Sequence, residues 1–192
     1  MDIIMIRHGE TDDNISKVYS RDATALTRKG IEQVRNTRKL IKDLEFDKVY
    51  YSPFDRTRET IVHLGLEGEA ESRIQEADFG IFKGGDYKSI LNNYPHETKM
   101  WTDDWIHYTI PEGESLEQAY KRVESFLEEL MKKDEDVILI THEGIIRLVC
   151  CWIFDNIEYF FKFKADNASI NIVKIVDGYK YIEKLNYSTK LE

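Results

Sequence analysis

The chain has 192 residues, 42% hydrophobic and 33% charged, which fits one soluble globular domain with a sizeable core. Its 27 Lys and Arg against 36 Asp and Glu give a formal charge of −9, which excludes a general nucleic-acid binder, because phosphate backbones require a basic face. No apolar run approaches the roughly 20 residues that span a bilayer, and Met1-Asp2-Ile3 lacks the basic start and long apolar segment of a secretion signal. A cytoplasmic protein with no membrane partner is therefore expected.

In chain order, residues 2–7 read as a buried strand that runs into Arg7-His8-Gly9-Glu10-Thr11. Leu26 to Leu44 reads as a helix, with Ile31, Val34, Leu40, Ile41 and Leu44 at helical spacing and Thr27 as its N-cap. Asp47 to Tyr51 is a strand; Ser52-Pro53 punctuates, and a helix over about 54–65 follows, with Pro53 suited to the first turn. Ser115 to Lys133 is the clearest helix: Leu116, Ala119, Val123, Phe126, Leu127 and Leu130 share one face, and Ser115 with Gln118 forms a capping box. Residues 136–141 read as a buried strand and 144–154 as a helix. Ile170 to Val176 and Tyr179 to Leu185, joined by Asp177-Gly178, form a hairpin.

Strands alternating with helices predict an α/β fold with a mostly parallel sheet and an antiparallel edge. Ligands of such sheets bind beyond the carboxyl ends of the strands, where His8 and His142 both stand. The stretch 81–112 breaks the alternation. It is turn-rich at Gly84-Gly85-Asp86, carries Tyr94, Trp101, Trp105 and Tyr108, and reads as an insertion covering the site. Trp101, Trp105 and Tyr108 lie at roughly helical spacing, so they form either a packed lid helix or an aromatic wall for the substrate's leaving group. His63, His96 and His107 read as surface residues. The adjacent Cys150 and Cys151 sit in an apolar stretch and read as buried, reduced thiols.

The residues gathered at the strand ends suit phosphoryl chemistry. A neutral imidazole is a good nucleophile toward phosphorus, since its pKa is near the working pH. Positive charge must offset repulsion by the phosphoryl oxygens, and Arg7 and Arg56 each follow a strand and offer a planar fork for two of those oxygens. Asn14 adds a donor. Hydrolysis also needs an acid for the leaving oxygen and a base for water. Glu76 is the best candidate carboxylate, with Asp78, Glu114 and Glu143 as rivals; burial would raise its pKa toward the useful range.

Taken together, Arg7 to Thr11 with Asn14, Leu26-Thr27 with Gly30, Ser52-Pro53 with Arg56, Glu76 before Phe79-Gly80, Gly113-Glu114-Ser115 with Arg122-Val123, and His142 resemble the histidine phosphatase superfamily. This is the phosphoglycerate mutase-like or RHG family, and the likeness is greatest to its small phosphatase branch, the α-ribazole and broad-specificity phosphatases. The resemblance spans residues 3–147. It implies a three-layer α/β/α sandwich and a metal-independent phosphomonoesterase, with no cofactor, acting on a small-molecule phosphate ester. His8 would carry the phosphoryl group, with Arg7, Arg56, His142 and Asn14 holding it and Glu76 as proton donor.

Three positions depart from the family pattern. Glu143 stands where the first of two glycines is common, and its carboxylate is expected to point away from the anion site. Phe82-Lys83-Gly84 replaces Trp-Glu-Gly, and Ser20-Arg21-Asp22 replaces Gly-Arg-x-Asp.

Rival readings are a phosphoglycerate mutase, whose members are usually longer, and a catalytically silent phosphate-ligand binder. A zinc helix would need a histidine where Ile146 stands, and Gly80 to Gly85 contains no phosphate loop. The physiological substrate and the oligomeric state stay open at this level.

Overall fold

The structure is a computed structural model that describes residues 1–188. Strand β1 (Asp2–Arg7) is central. It pairs in parallel with β4 (Val137–Thr141) on one side and antiparallel with β5 (Ile170–Val176) on the other. Beyond β4 lie β2 (Lys48–Tyr51) and the two-residue β3 (Glu69–Ala70), both in parallel register; beyond β5 lies β6 (Tyr179–Tyr187). The six-stranded order is β3-β2-β4-β1-β5-β6.

Side chains alternate across a strand, so a sheet buried on both faces needs apolar residues at every position. Here Ile3, Met5, Val137 and Leu139 face one helical layer, and Ile4, Ile6, Ile138 and Ile140 face the other. Helices α6 (Leu116–Lys133) and α7 (Glu143–Ile153) cover the first face, and α2 (Arg28–Leu40) and α3 (Asp55–Leu64) cover the second. The arrangement is the expected three-layer α/β/α sandwich. Both cysteines are buried and free.

The caps follow the sequence. Thr27 accepts from the Gly30 amide, and Ser115 and Gln118 form the reciprocal capping box. Helix α2 is shorter than its apolar pattern. It ends at Leu40, because the chain must turn to enter β2, yet Ile41 and Leu44 still pack on the same core and extend the periodicity past the helix. Helix α3 starts one residue later than predicted, at Asp55, and ends against a left-handed Gly65. Helix α7 starts one residue earlier, at Glu143, because His142 at the end of β4 is already its N-cap.

The stretch 81–112 is more helical than its turn residues suggested. It holds part of a 3-10 turn (Gly80–Phe82), α4 (Tyr87–Asn93) and α5 (Pro95–Asp103), the two helices being separated at Tyr94-Pro95. Helix α5 stops before Trp105, so Trp101, Trp105 and Tyr108 do not share a helix. Four short elements had no apolar periodicity to announce them: the five-residue α1 (Asp12–Ser16), β3, and 3-10 segments over Ser72–Ile74 and Ile157–Lys162.

Candidate active site

The two histidines meet because β1 and β4 are in register, with Arg7 opposite Thr141. Each strand ends one residue before its histidine, and the rings lie 5.3 Å apart between centroids. His8 is anchored by its backbone, its N–H donating to Thr141 O at 3.0 Å and its carbonyl accepting from Ala168 N at 3.1 Å. Its Nδ1 lies 2.7 Å from Gly9 O. A carbonyl can only accept, so Nδ1 carries the proton and the Nε2 lone pair is free. Burial pushes the imidazole pKa well below its ordinary value, and the neighbouring Arg56 and Arg7 add to this. His8 is therefore held neutral, in one tautomer, as a nucleophile requires.

Gly9 is dictated by packing. A Cβ there would lie 2.5 Å from Gly30 O, and one on Gly30 would lie 2.2 Å from Glu10 O. The nucleophile loop and the start of α2 touch backbone to backbone, which no larger residue permits.

His142 is fully buried. Arg56 Nε donates to its Nδ1 at 3.2 Å, so Nε2 carries the proton and donates to Ser52 Oγ at 2.8 Å. Burial again depresses its pKa well below the usual range, with Arg56 and His8 contributing. Arg56 itself is 1% exposed, lies 4.9 Å from the Phe54 ring centroid, and is fixed through Nη1 to Arg21 O at 2.7 Å. Arg58, two residues on, faces solvent. Arg7 donates through Nη1 to Ala165 O at 2.6 Å, while its Nε is buried with no partner among the described residues. Such an orphan donor is costly unless a ligand accepts from it.

Asn14 is oriented by what its oxygen accepts: the Thr11 amide at 3.1 Å, the Thr11 hydroxyl at 3.1 Å and Asn167 Nδ2 at 3.0 Å. The donor end of the amide is left for another acceptor. Asn167, which also reaches His8 O at 3.3 Å, went unnoticed in the sequence, as nothing near it signals a role.

Glu76 follows a 3-10 turn over Ser72–Ile74. Its carboxylate accepts from Ala77 N at 3.0 Å and from Gly144 N, in the first turn of α7, at 3.3 Å. Gly144 is required here, since a Cβ would fall 2.3 Å from Glu76 Oε1. The loop is clamped by Arg122 of α6, which donates to Arg73 O at 2.7 Å and Glu76 O at 3.2 Å and pairs with Glu114 at 2.6 Å. Burial raises the Glu76 pKa above its ordinary value, against the opposing hydrogen bonds and the charges of Arg56 and Arg7. Of the rival acids, Asp78 is paired with Lys83 and Glu114 with Arg122.

Glu143 does not point away from the anion site. Its Oε2 lies 2.9 Å from Arg7 Nη1, and its Oε1 contacts Arg147 one helical turn on. The expectation failed because it set the carboxylate against phosphate alone. A carboxylate beside two guanidinium groups gains more by pairing with them than by turning to solvent.

Beside Glu76 opens a chamber of about 290 Å³, lined largely by aromatic and aliphatic side chains, with Glu143 and Arg147 at its wall. Trp101 and Trp105 both line it, from different partners. Trp101 packs on Tyr19, Phe79 and Phe82, whereas Trp105 packs on Phe160 and Phe161 of the late 3-10 segment. Tyr108 packs with the Phe82, Ile90 and Ile110 cluster instead of lining the chamber. His96 and His107 are exposed and His63 is partly so. Among the described residues no three His, Cys, Asp or Glu side chains converge as metal ligands, and no helix is long and apolar enough to cross a membrane.

The profile of the histidine phosphatase superfamily (branch 1) matches residues 3–188. The chain belongs to this superfamily. It is 27% identical to phosphoserine phosphatase 1 of Hydrogenobacter thermophilus, over 98% of this chain and 93% of that protein. It is 26% identical to an adenosylcobalamin/alpha-ribazole phosphatase of Salmonella typhimurium, over 97% and 96%. The crystal structure of the alpha-ribazole phosphatase from Shigella flexneri superposes with a TM-score of 0.89 at 27% identity, covering all of both chains. Family, fold and named relatives agree on a phosphoric monoester hydrolase of the histidine phosphatase type, for which a phosphohistidine intermediate is the chemistry.

Proposed function

We propose that His8 attacks the phosphorus of a small-molecule phosphate ester through Nε2, without a metal or cofactor. The observation that carries this is the His8 Nδ1 contact with Gly9 O, which leaves Nε2 unprotonated beside Arg7 and Arg56. Arg7, Arg56, Asn14 and the Nε2–H of His142 hold the phosphoryl oxygens, the last exchanging its hydrogen bond to Ser52 Oγ for one to the ligand. Glu76, whose pKa burial raises, gives its proton to the leaving alcohol. The same carboxylate then takes a proton from water as the phosphohistidine is hydrolysed. The described residues act as one domain, residues 189–192 of the expected 1–192 lying outside them, and 81–112 covers the site; Trp101 and Trp105 supply the leaving-group wall, and Tyr108 supports it from behind. Two buried free thiols suit a reducing, cytoplasmic setting.

The test is hydrolysis of p-nitrophenyl phosphate with a metal chelator present, for the native protein and His8→Ala. Turnover that survives chelation and is lost with His8 supports the reading. Turnover abolished by the chelator, or retained without His8, overturns it.

A further inference from the structure

The chamber beside Glu76 has an unusual charge pattern. Asp78, Glu114 and Glu143 line it together with Glu76, and Arg147 is the one cationic side chain among its described lining residues. Arg147 pairs with Glu143 through Nη2 and lies over the Phe160 ring, 5.4 Å from the centroid, while its buried Nε has no partner among the described residues. Lys83 and Arg122, which neutralise Asp78 and Glu114, are not part of the lining. A leaving group entering here meets aromatic surface and four carboxylates, against one cation, Arg147, among the described lining residues.

Glu143 is the acid best placed to matter. It is the residue next to Gly144, whose amide holds Glu76, and so stands beside the point where the ester oxygen must receive its proton. It also bridges the two regions, with one oxygen on Arg7 in the anion pocket and the other on Arg147 in the chamber. That bridge holds the carboxylate at the junction of the anion pocket and the chamber.

We infer that Glu143 is a specificity-determining residue, selecting phosphate monoesters whose leaving group is neutral or cationic and rejecting those with a further anionic group near the ester oxygen. The inference rests on the assignment of the chamber to the leaving group. Phosphorylated sugar acids and bisphosphates fall in the rejected class. Uncharged planar or aliphatic alcohols, and alcohols bearing an amine, fall in the accepted one.

The experiment compares three matched probes: phenyl phosphate, 3-carboxyphenyl phosphate and 3-(aminomethyl)phenyl phosphate. The native protein should show the lowest kcat/KM for the carboxylate, by on the order of tenfold, the effect of one unit charge at short range between the solvent and interior limits. Glu143→Gln should remove most of that penalty, and Arg147→Gln, which removes one of the two guanidinium groups paired with Glu143, should enlarge it. A merely structural effect would shift all three probes together. Equal probe ratios in the native protein and both variants would overturn the inference. If the native protein turns over none of the probes, the phosphatase reading fails separately. Calorimetric binding of phenylphosphonate against 3-carboxyphenylphosphonate then decides the inference: a carboxylate penalty relieved in Glu143→Gln upholds it, and its absence overturns it.

Discussion

The anion pocket and the leaving-group chamber lie on either side of Glu76 and are built on opposite principles. The pocket is made at strand ends. His8, His142 and Arg56 follow β1, β4 and β2; His8 is held by Gly9 O and Thr141 O, Arg56 by Arg21 O, and His142 by Arg56 and Ser52. The chamber is made of side chains from distant segments, with Tyr19 packed on Trp101 and Trp105 packed on Phe160 and Phe161. A pocket fixed by backbone geometry tolerates little change, which suits a reaction whose phosphoryl group is the same for every substrate. A wall of packed aromatics can be recut without disturbing the sheet, which suits the part that varies.

The sharpest way to break this comparison is at the shared carboxyl. Glu76→Gln should lower kcat by roughly 10²–10⁴-fold, the usual worth of a general acid–base. The loss should be greater for an alkyl phosphate than for p-nitrophenyl phosphate, whose leaving group needs less protonation. The sign of the pH effect follows from the raised pKa. Glu76 is protonated, and able to donate, below its raised value, and loses that proton as pH rises through it. Activity of the native protein should therefore fall on the alkaline side, at a pH above the ordinary glutamate range. The variant should lack that limb, and a matching limb in both proteins would assign the titration to another group.

Next in size is Gly144→Ala. The added methyl would press on Glu76 Oε1, and displacing a catalytic group by about 1 Å can cost on the order of 10²-fold. Thermal stability should change little, because the obstacle is one side chain at the edge of the pocket. Full activity would show that the position of Glu76 is not critical.

The smallest effect belongs to the chamber. Trp101→Ala and Trp105→Ala should reorder a panel of phosphate esters while changing p-nitrophenyl phosphate turnover by roughly tenfold or less, as expected for lost apolar contact with a leaving group. An unchanged ranking would remove residues 81–112 from substrate selection.

The same division explains what could be read from the residues alone. Strands β1, β2 and β4, the caps at Thr27 and Ser115, and the convergence of His8, Arg7, Arg56 and His142 were legible, because local rules fix them: apolar runs, capping side chains, and the tendency of α/β sheets to bind at strand ends. Glu76 had the right residue type but no local sign of position. It is placed by contacts with Arg122, 46 residues away, and with Gly144, 68 residues away. Phe160, Phe161 and Asn167 join the site only through the fold, from segments without periodicity. Glu143 was read with the wrong partners, since Arg7 is adjacent to it only once β1 and β4 align.

The central claim is that phosphoryl transfer passes through Nε2 of His8. The most direct measurement is rapid mixing of the protein with a radiolabelled aryl phosphate, alkaline quenching, and peptide mapping of the bound label. The expected result is an acid-labile, base-stable phosphoryl group on His8, formed within one turnover and absent from His8→Ala. Label on another residue, or full turnover with no labelled protein at any time, would contradict it.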